Sequence, residues 1–117
     1  MNKTDSVKME IKGEEENNSC FRIIALGGDA KSKVKEAMVK IKEKNYSDAS
    51  DLMRLAGENI MEGRKIQHEL LTRDIRGNNI SMSAVLLNHA MDILITAETE
   101  LSMLDFIFHL INDKQLK

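Results

Sequence analysis

The sequence predicts an all-α protein, an antiparallel bundle of three helices, and three observations carry that reading. Proline is absent from all 117 residues, and Met, Leu, Ile, Ala, Lys and Glu dominate, a composition that favours helix. Apolar residues recur at helical spacing through three long stretches, with Lys and Glu opposite them. Two polar clusters, Asn45-Tyr46-Ser47-Asp48 and Gly77-Asn78-Asn79, separate the stretches and are short enough to make neighbouring helices antiparallel.

Residues 1–18 read as a flexible N-terminal lead. Met1 to Lys12 sustains no period, and Gly13-Glu14-Glu15-Glu16-Asn17-Asn18 is polar and acidic. Asn18 or Ser19 is placed to cap a first helix from about Cys20 to Lys44, so the folded domain spans 19–117. The apolar positions of this helix include Phe21, Ile24, Gly28, Val34, Met38 and Ile41, with Ile23, Leu26, Ala30 and Ala37 beside them. Gly27-Gly28 inside it costs roughly 2 kcal/mol against alanine, so the helix bends there or another backbone comes close.

In the first turn Asn45 tolerates a left-handed conformation, and Ser47 can cap a second helix from about Asp48 to Arg76. Its stripe is Ala49, Leu52, Met53, Ala56, Ile60, Gly63, Gln67, Leu70 and Leu71. Gln67 falls inside the stripe, where an amide needs a partner, while Arg64, Lys65, His68 and Thr72 lie toward the edge. Ser81 or Ser83 caps a third helix that continues to about Asn112. Its second half sets Leu101, Leu104, Phe108 and Ile111 on one side, with Met103, Phe106, Ile107 and Leu110 around it. His109 follows Ser102 and Asp105 at helical spacing and belongs to an exposed polar strip, as does the solvated His68.

The third helix has more apolar surface than two partner helices can cover, which implies self-association. Inside its most apolar run, Ala84 to Ile95, stand His89 and Asp92, one turn apart on one face. An ionisable pair in such surroundings is costly unless paired, hydrogen-bonded or metal-bound, which marks both residues as candidates for function.

The whole chain excludes several classes. Net charge is −2 with acids and bases interspersed, so no nucleic-acid or anionic-membrane surface is expected. A single cysteine, Cys20, allows no disulfide framework and points to a reducing compartment. The first 20 residues are polar and charged, unlike a secretory signal, and the Ala84–Ile95 run is too short and polar to span a bilayer.

Four pieces in order resemble one family. Gly28-Asp29-Ala30-Lys31-Ser32 with Glu36-Ala37 resembles the first-helix signature of the enzyme IIA components of the lactose/cellobiose (chitobiose) class of the bacterial sugar phosphotransferase system. Asn45-Tyr46 with Ala49 resembles that family's Asp-Phe turn and following alanine. Gln67 with Leu70-Leu71 and Gly77 matches its second-helix pattern. His89-Ala90-Met91-Asp92-Ile93-Leu94-Ile95-Thr96 resembles its central His-Ala-Gln-Asp-His-Leu-Met-Thr motif, and the resemblance covers roughly residues 20 to 113.

The resemblance implies a cytoplasmic phosphocarrier built as a homotrimer of nine helices. It implies that His89 accepts a phosphoryl group from the phosphocarrier protein HPr and passes it to a cysteine of the IIB component. The uptake served is of a disaccharide such as cellobiose, lactose or chitobiose, and the membrane is reached only through the IIC subunit, which selects the sugar. Asp92 matches the aspartate that meets its two copies around a metal ion, expected to be one Mg²⁺ per trimer. The chain departs from the family at Met91 (glutamine), Ile93 (histidine) and Arg64 (histidine). Arg64 and Gln67 are the expected support for the phosphohistidine, because a guanidinium grips phosphate bidentately. Those departures also leave open a non-transferring regulatory or binding paralogue that keeps the trimeric helical fold.

Overall fold

A computed structural model describes residues 3–75 and 84–115. It consists of α1 (Lys3–Lys42), α2 (Tyr46–Ile75) and α3 (Ala84–Gln115), running up, down and up in a rod with extents of 71 × 22 × 19 Å. The expected second turn, Gly77-Asn78-Asn79, and the Ser81 and Ser83 caps lie outside the described residues.

The first helix corrects the expected boundary: it starts at Lys3, not near Cys20, and runs through most of the stretch read as a lead. The acidic segment is compatible with helix, because Glu and Lys are good helix formers and no proline interrupts it. Ser19 does not cap. It sits inside the helix and donates its hydroxyl to the Glu15 carbonyl one turn back at 3.1 Å. Glu16 and Cys20 are fully buried. Burial, and then the Glu16 carboxylate, pushes the Cys20 thiol above its usual range.

The α1–α2 turn is built from two caps that share one residue. Lys44 takes the left-handed conformation at φ 63°, one residue before the position expected. Its amide donates to the Ile41 carbonyl at 2.9 Å and the Asn45 amide donates to the Lys40 carbonyl at 2.8 Å, which together close a Schellman motif. Asn45 then caps α2 in place of Ser47. Its Oδ1 accepts from the Asp48 amide at 3.4 Å, and its Nδ2 donates to the Asp48 carboxylate at 2.7 Å.

The core is narrower than the stripe of large residues suggested. Each helix contributes two fully buried alanines seven residues apart: Ala30 and Ala37, Ala49 and Ala56, Ala90 and Ala97. Small residues at heptad spacing let backbones approach closely. Phe21 and Met38, expected in the α1 stripe, are therefore exposed, and Cys20, Ile23, Gly27, Ala30, Val34 and Ala37 form the buried line.

Gly27, not Gly28, is the point of close approach. A Cβ on Gly27 would stand 2.5 Å from Ile93 Cγ2 and 3.5 Å from the Ile93 carbonyl carbon, whereas one on Gly28 would meet nothing within 4 Å. Gly63 does the same from α2, where a Cβ would lie 2.8 Å from Leu94 Cδ1. Two glycines thus clasp consecutive residues of α3 immediately beyond His89 and Asp92. At the far end Tyr46 and Phe108 meet edge to face, with centroids 6.4 Å apart.

Candidate functional site

His89 and Asp92 are both exposed, one turn apart on the outer face of α3. The expectation of burial fails within one chain, because α1 and α2 cover only the opposite face, at Ala90, Leu94, Ala97, Leu104 and Phe108. Neither the His89 ring nor the Asp92 carboxylate has a partner among the described residues. The nearest bond involves the Asp92 backbone carbonyl, which accepts from Thr96 Oγ1 at 2.9 Å. An imidazole left open in this way can present a ring nitrogen lone pair to an electrophile.

The outer face around them is apolar. Val85, Ile95, Met103, Phe106, Ile107 and Leu110 are all exposed, Phe106 to 66% and Met103 to 63%, which is far more than a soluble helix leaves to water by chance alone. Val85, Asp92, Ile95, Thr99, Phe106 and Leu110 follow one another at steps of three, four or seven residues, and so lie along one seam. Asp92 lies on that seam and His89 on its margin toward α1. Ile93, one turn beyond His89 on that side, packs against Gly27. Ile93 therefore serves as a packing residue.

Arg64 and Gln67 lie on the other margin. Arg64 Nη1 donates to Gln67 Oε1 at 2.9 Å, which supplies the partner that a buried glutamine needs. Arg64 Nε donates to Glu98 Oε2 at 2.9 Å, and Nη2 also donates to Glu98. Glu98 was not singled out in the sequence, where it reads as one acid among many on a helix; only its position opposite Arg64 reveals it. Roughly two and a half turns separate His89 from Glu98, which puts them on opposite flanks of α3. The structure thus brings Arg64, Gln67 and Glu98 together, and His89 and Asp92 together, but does not join the two groups within one chain.

The remaining histidines occupy polar surface, as expected. His68 is exposed. His109 is exposed and donates Nδ1–H to the Asp105 carbonyl at 2.7 Å; that bond first, and then the Asp105 carboxylate, raises its pKa. Among the described residues no group of three or more His, Cys, Asp or Glu side chains forms a metal site in one chain. A hard cation at Asp92 would need carboxylates from further copies, and the unengaged carboxylate suits such a role. Among the described residues no helix is long and apolar enough to cross a membrane.

The sequence family described as "PTS system, Lactose/Cellobiose specific IIA subunit" matches residues 18–112. The PTS system lactose-specific EIIA component of Streptococcus mutans serotype c is 34% identical over 91 residues, covering 78% of this chain and 84% of that protein. That of Staphylococcus epidermidis is 35% identical over 91 residues, with coverage of 78% and 84%. The crystal structure of the PTS cellobiose-specific enzyme IIA from Bacillus anthracis superposes with a TM-score of 0.76 at 30% identity, covering 86% of this chain and 91% of that one. The crystal structure of PtcA from S. mutans gives 0.77 at 30% identity, covering 83% and 94%. With an exposed histidine in the motif of its third helix and this three-helix frame around it, the chain belongs to the lactose/cellobiose-specific IIA family of the sugar phosphotransferase system.

Proposed function

We propose that this chain is the phosphoryl-carrying subunit of a cytoplasmic sugar uptake system, with His89 as the phosphoacceptor. The observation that carries the reading is His89 itself: an open imidazole at the motif position, on the margin of an unpartnered apolar seam. A lone pair of the neutral ring attacks the phosphorus of phospho-HPr. The N–P bond to His89 forms as the donor's N–P bond breaks, and the electron pair returns to the donor's ring. The same exchange in the other direction hands the phosphoryl group to a IIB cysteine thiolate, where an S–P bond replaces the N–P bond. The sugar served is a disaccharide of the cellobiose, lactose or chitobiose kind.

Three copies join through the α3 seam into a nine-helix homotrimer. Burying Phe106, Met103 and Leu110 drives the association, and Val85, one turn from His89, becomes part of a desolvated wall that keeps water from the phosphoramidate. Asp92 is carried to the axis, where three carboxylates repel one another unless a cation intervenes; Mg²⁺, a hard ion that takes oxygen ligands, fits that set.

The test is acid-labile phosphate uptake from phospho-HPr. Wild type, His68→Ala and His109→Ala should be labelled, and His89→Ala should not. In sedimentation, chelator should weaken the wild-type trimer and leave Asp92→Leu unchanged. A second reading, a non-transferring regulatory paralogue, draws on the engagement of Arg64 with Glu98 and on Met91 and Ile93 in the motif. It becomes the better account if the wild type takes up no phosphate while another IIA protein in the same tube does.

A further inference from the structure

Arg64 and His89 stand on opposite margins of one apolar seam. A closed ring of identical subunits joins unlike surfaces, so the left margin of each subunit meets the right margin of the next. Association through α3 around an axis parallel to the rod therefore turns the His89 margin of one subunit toward the Arg64 margin of its partner, at the same height. The heights agree. Gly57 faces Leu101 and Gly63 faces Leu94, so α2 and α3 run antiparallel, and Gln67, one turn on, is level with Ala90, the neighbour of His89. Arg64 Nη1 already reaches Gln67. The groove that holds Arg64 is lined by Ile95, Glu98, Thr99 and Met103, and so opens on the seam itself.

Resting on the trimeric phosphocarrier reading, we propose that Arg64 grips the phosphoryl group on His89 of the partner subunit, and that Glu98 is the positioning residue that holds the guanidinium while that histidine is bare. The planar guanidinium fork matches phosphate as well as it matches carboxylate. A phosphoryl group carries more negative charge than one carboxylate, and the contrast grows as assembly excludes water. Arg64 Nε and Nη2 then leave Glu98 for phosphoryl oxygens while Nη1 stays on Gln67. The exchange itself breaks no covalent bond and moves no proton. It keeps the cation paired in both states, so the bare site never holds an uncompensated charge in the interface.

Mixed trimers test the assignment across subunits. Differently tagged His89→Ala and Arg64→Ala chains are refolded together and charged with phospho-HPr. The Arg64→Ala homotrimer should label roughly tenfold or more slowly than wild type, and the His89→Ala homotrimer not at all. In mixed trimers a fraction of the Arg64→Ala chains should label at the wild-type rate, because their His89 faces an intact Arg64. If all of them keep the slow rate, the proposal is overturned.

Glu98 is tested through phosphohistidine lifetime. Glu98→Gln should lengthen it severalfold when Arg64 is present and leave it unchanged in Arg64→Ala; equal effects in both backgrounds, or none in either, overturn the positioning role. Should phospho-HPr fail to charge wild type, the relay reading fails. The trimers are then charged with phosphoramidate, and the same lifetimes still decide the Arg64 assignment. A chain that sediments as a monomer overturns both.

Discussion

The inner face of α3 is approached closely by glycines of α1 and α2, whereas its outer face leaves large apolar side chains exposed in the single chain. Inside, Ala90, Leu94 and Ala97 are fully buried, and Gly27 and Gly63 let two helices close on Ile93 and Leu94. Outside, Val85, Ile95, Met103, Phe106 and Leu110 stand in water on the same side of α3 as His89 and Asp92. Size is the difference that matters. Small residues let helices of one chain approach closely at Gly27, Gly63 and the buried alanines, and the large side chains of the outer face stay exposed in the single chain. The candidate phosphoacceptor lies on the margin between the two regimes. Its backbone is held by the inner packing, and its ring is exposed.

The largest effect is expected on the outer face. Met103→Asp with Phe106→Asp puts charges on the face that the proposed association would strip of water, at a cost on the order of several kcal/mol each. We expect a monomer that keeps its helical circular dichroism, read by sedimentation velocity. Loss of helix together with assembly would mean that the two faces are not independent.

The inner face answers to cavities and crowding. Leu94→Ala removes a fully buried side chain at the clasp and should lower unfolding stability by about 2–5 kcal/mol in urea titration. Gly27→Ala forces a Cβ onto the stiff, β-branched Ile93 and its backbone, for a net loss of about 1–2 kcal/mol after alanine's gain in helix propensity. Its neighbour is the control. Gly28→Ala meets no atom and should stabilise by about 0.5–1 kcal/mol. Equal effects at the two glycines would refute the close approach.

The smallest effect lies at neither face. The folded pKa of His109 is raised, so the stabilisation it contributes is fully present below the ordinary histidine value of 6.5 and is lost as pH rises through the raised one. Denaturation midpoints of wild type and His109→Gln should differ slightly at acidic pH and converge in mild alkali. A difference that grows with pH would reverse the assignment.

Much of this was legible in the sequence. Absence of proline, three periodic stretches and two polar clusters were enough for three helices in antiparallel order, because helix period and turn chemistry are local properties. His89 and Asp92 were marked by a contrast that is also local, ionisable side chains one turn apart in an apolar run, and the resemblance to the IIA family rested on residues in order. Tertiary structure decided the rest. Which of two adjacent glycines admits a neighbouring helix depends on an interhelical distance that no single helix encodes. Helix formers in the acidic lead carried α1 back to Lys3, with Glu16 buried by the bundle around it. The role of Glu98 was invisible until folding set it against Arg64, because residues 34 positions apart share no period and meet only when α2 and α3 lie side by side.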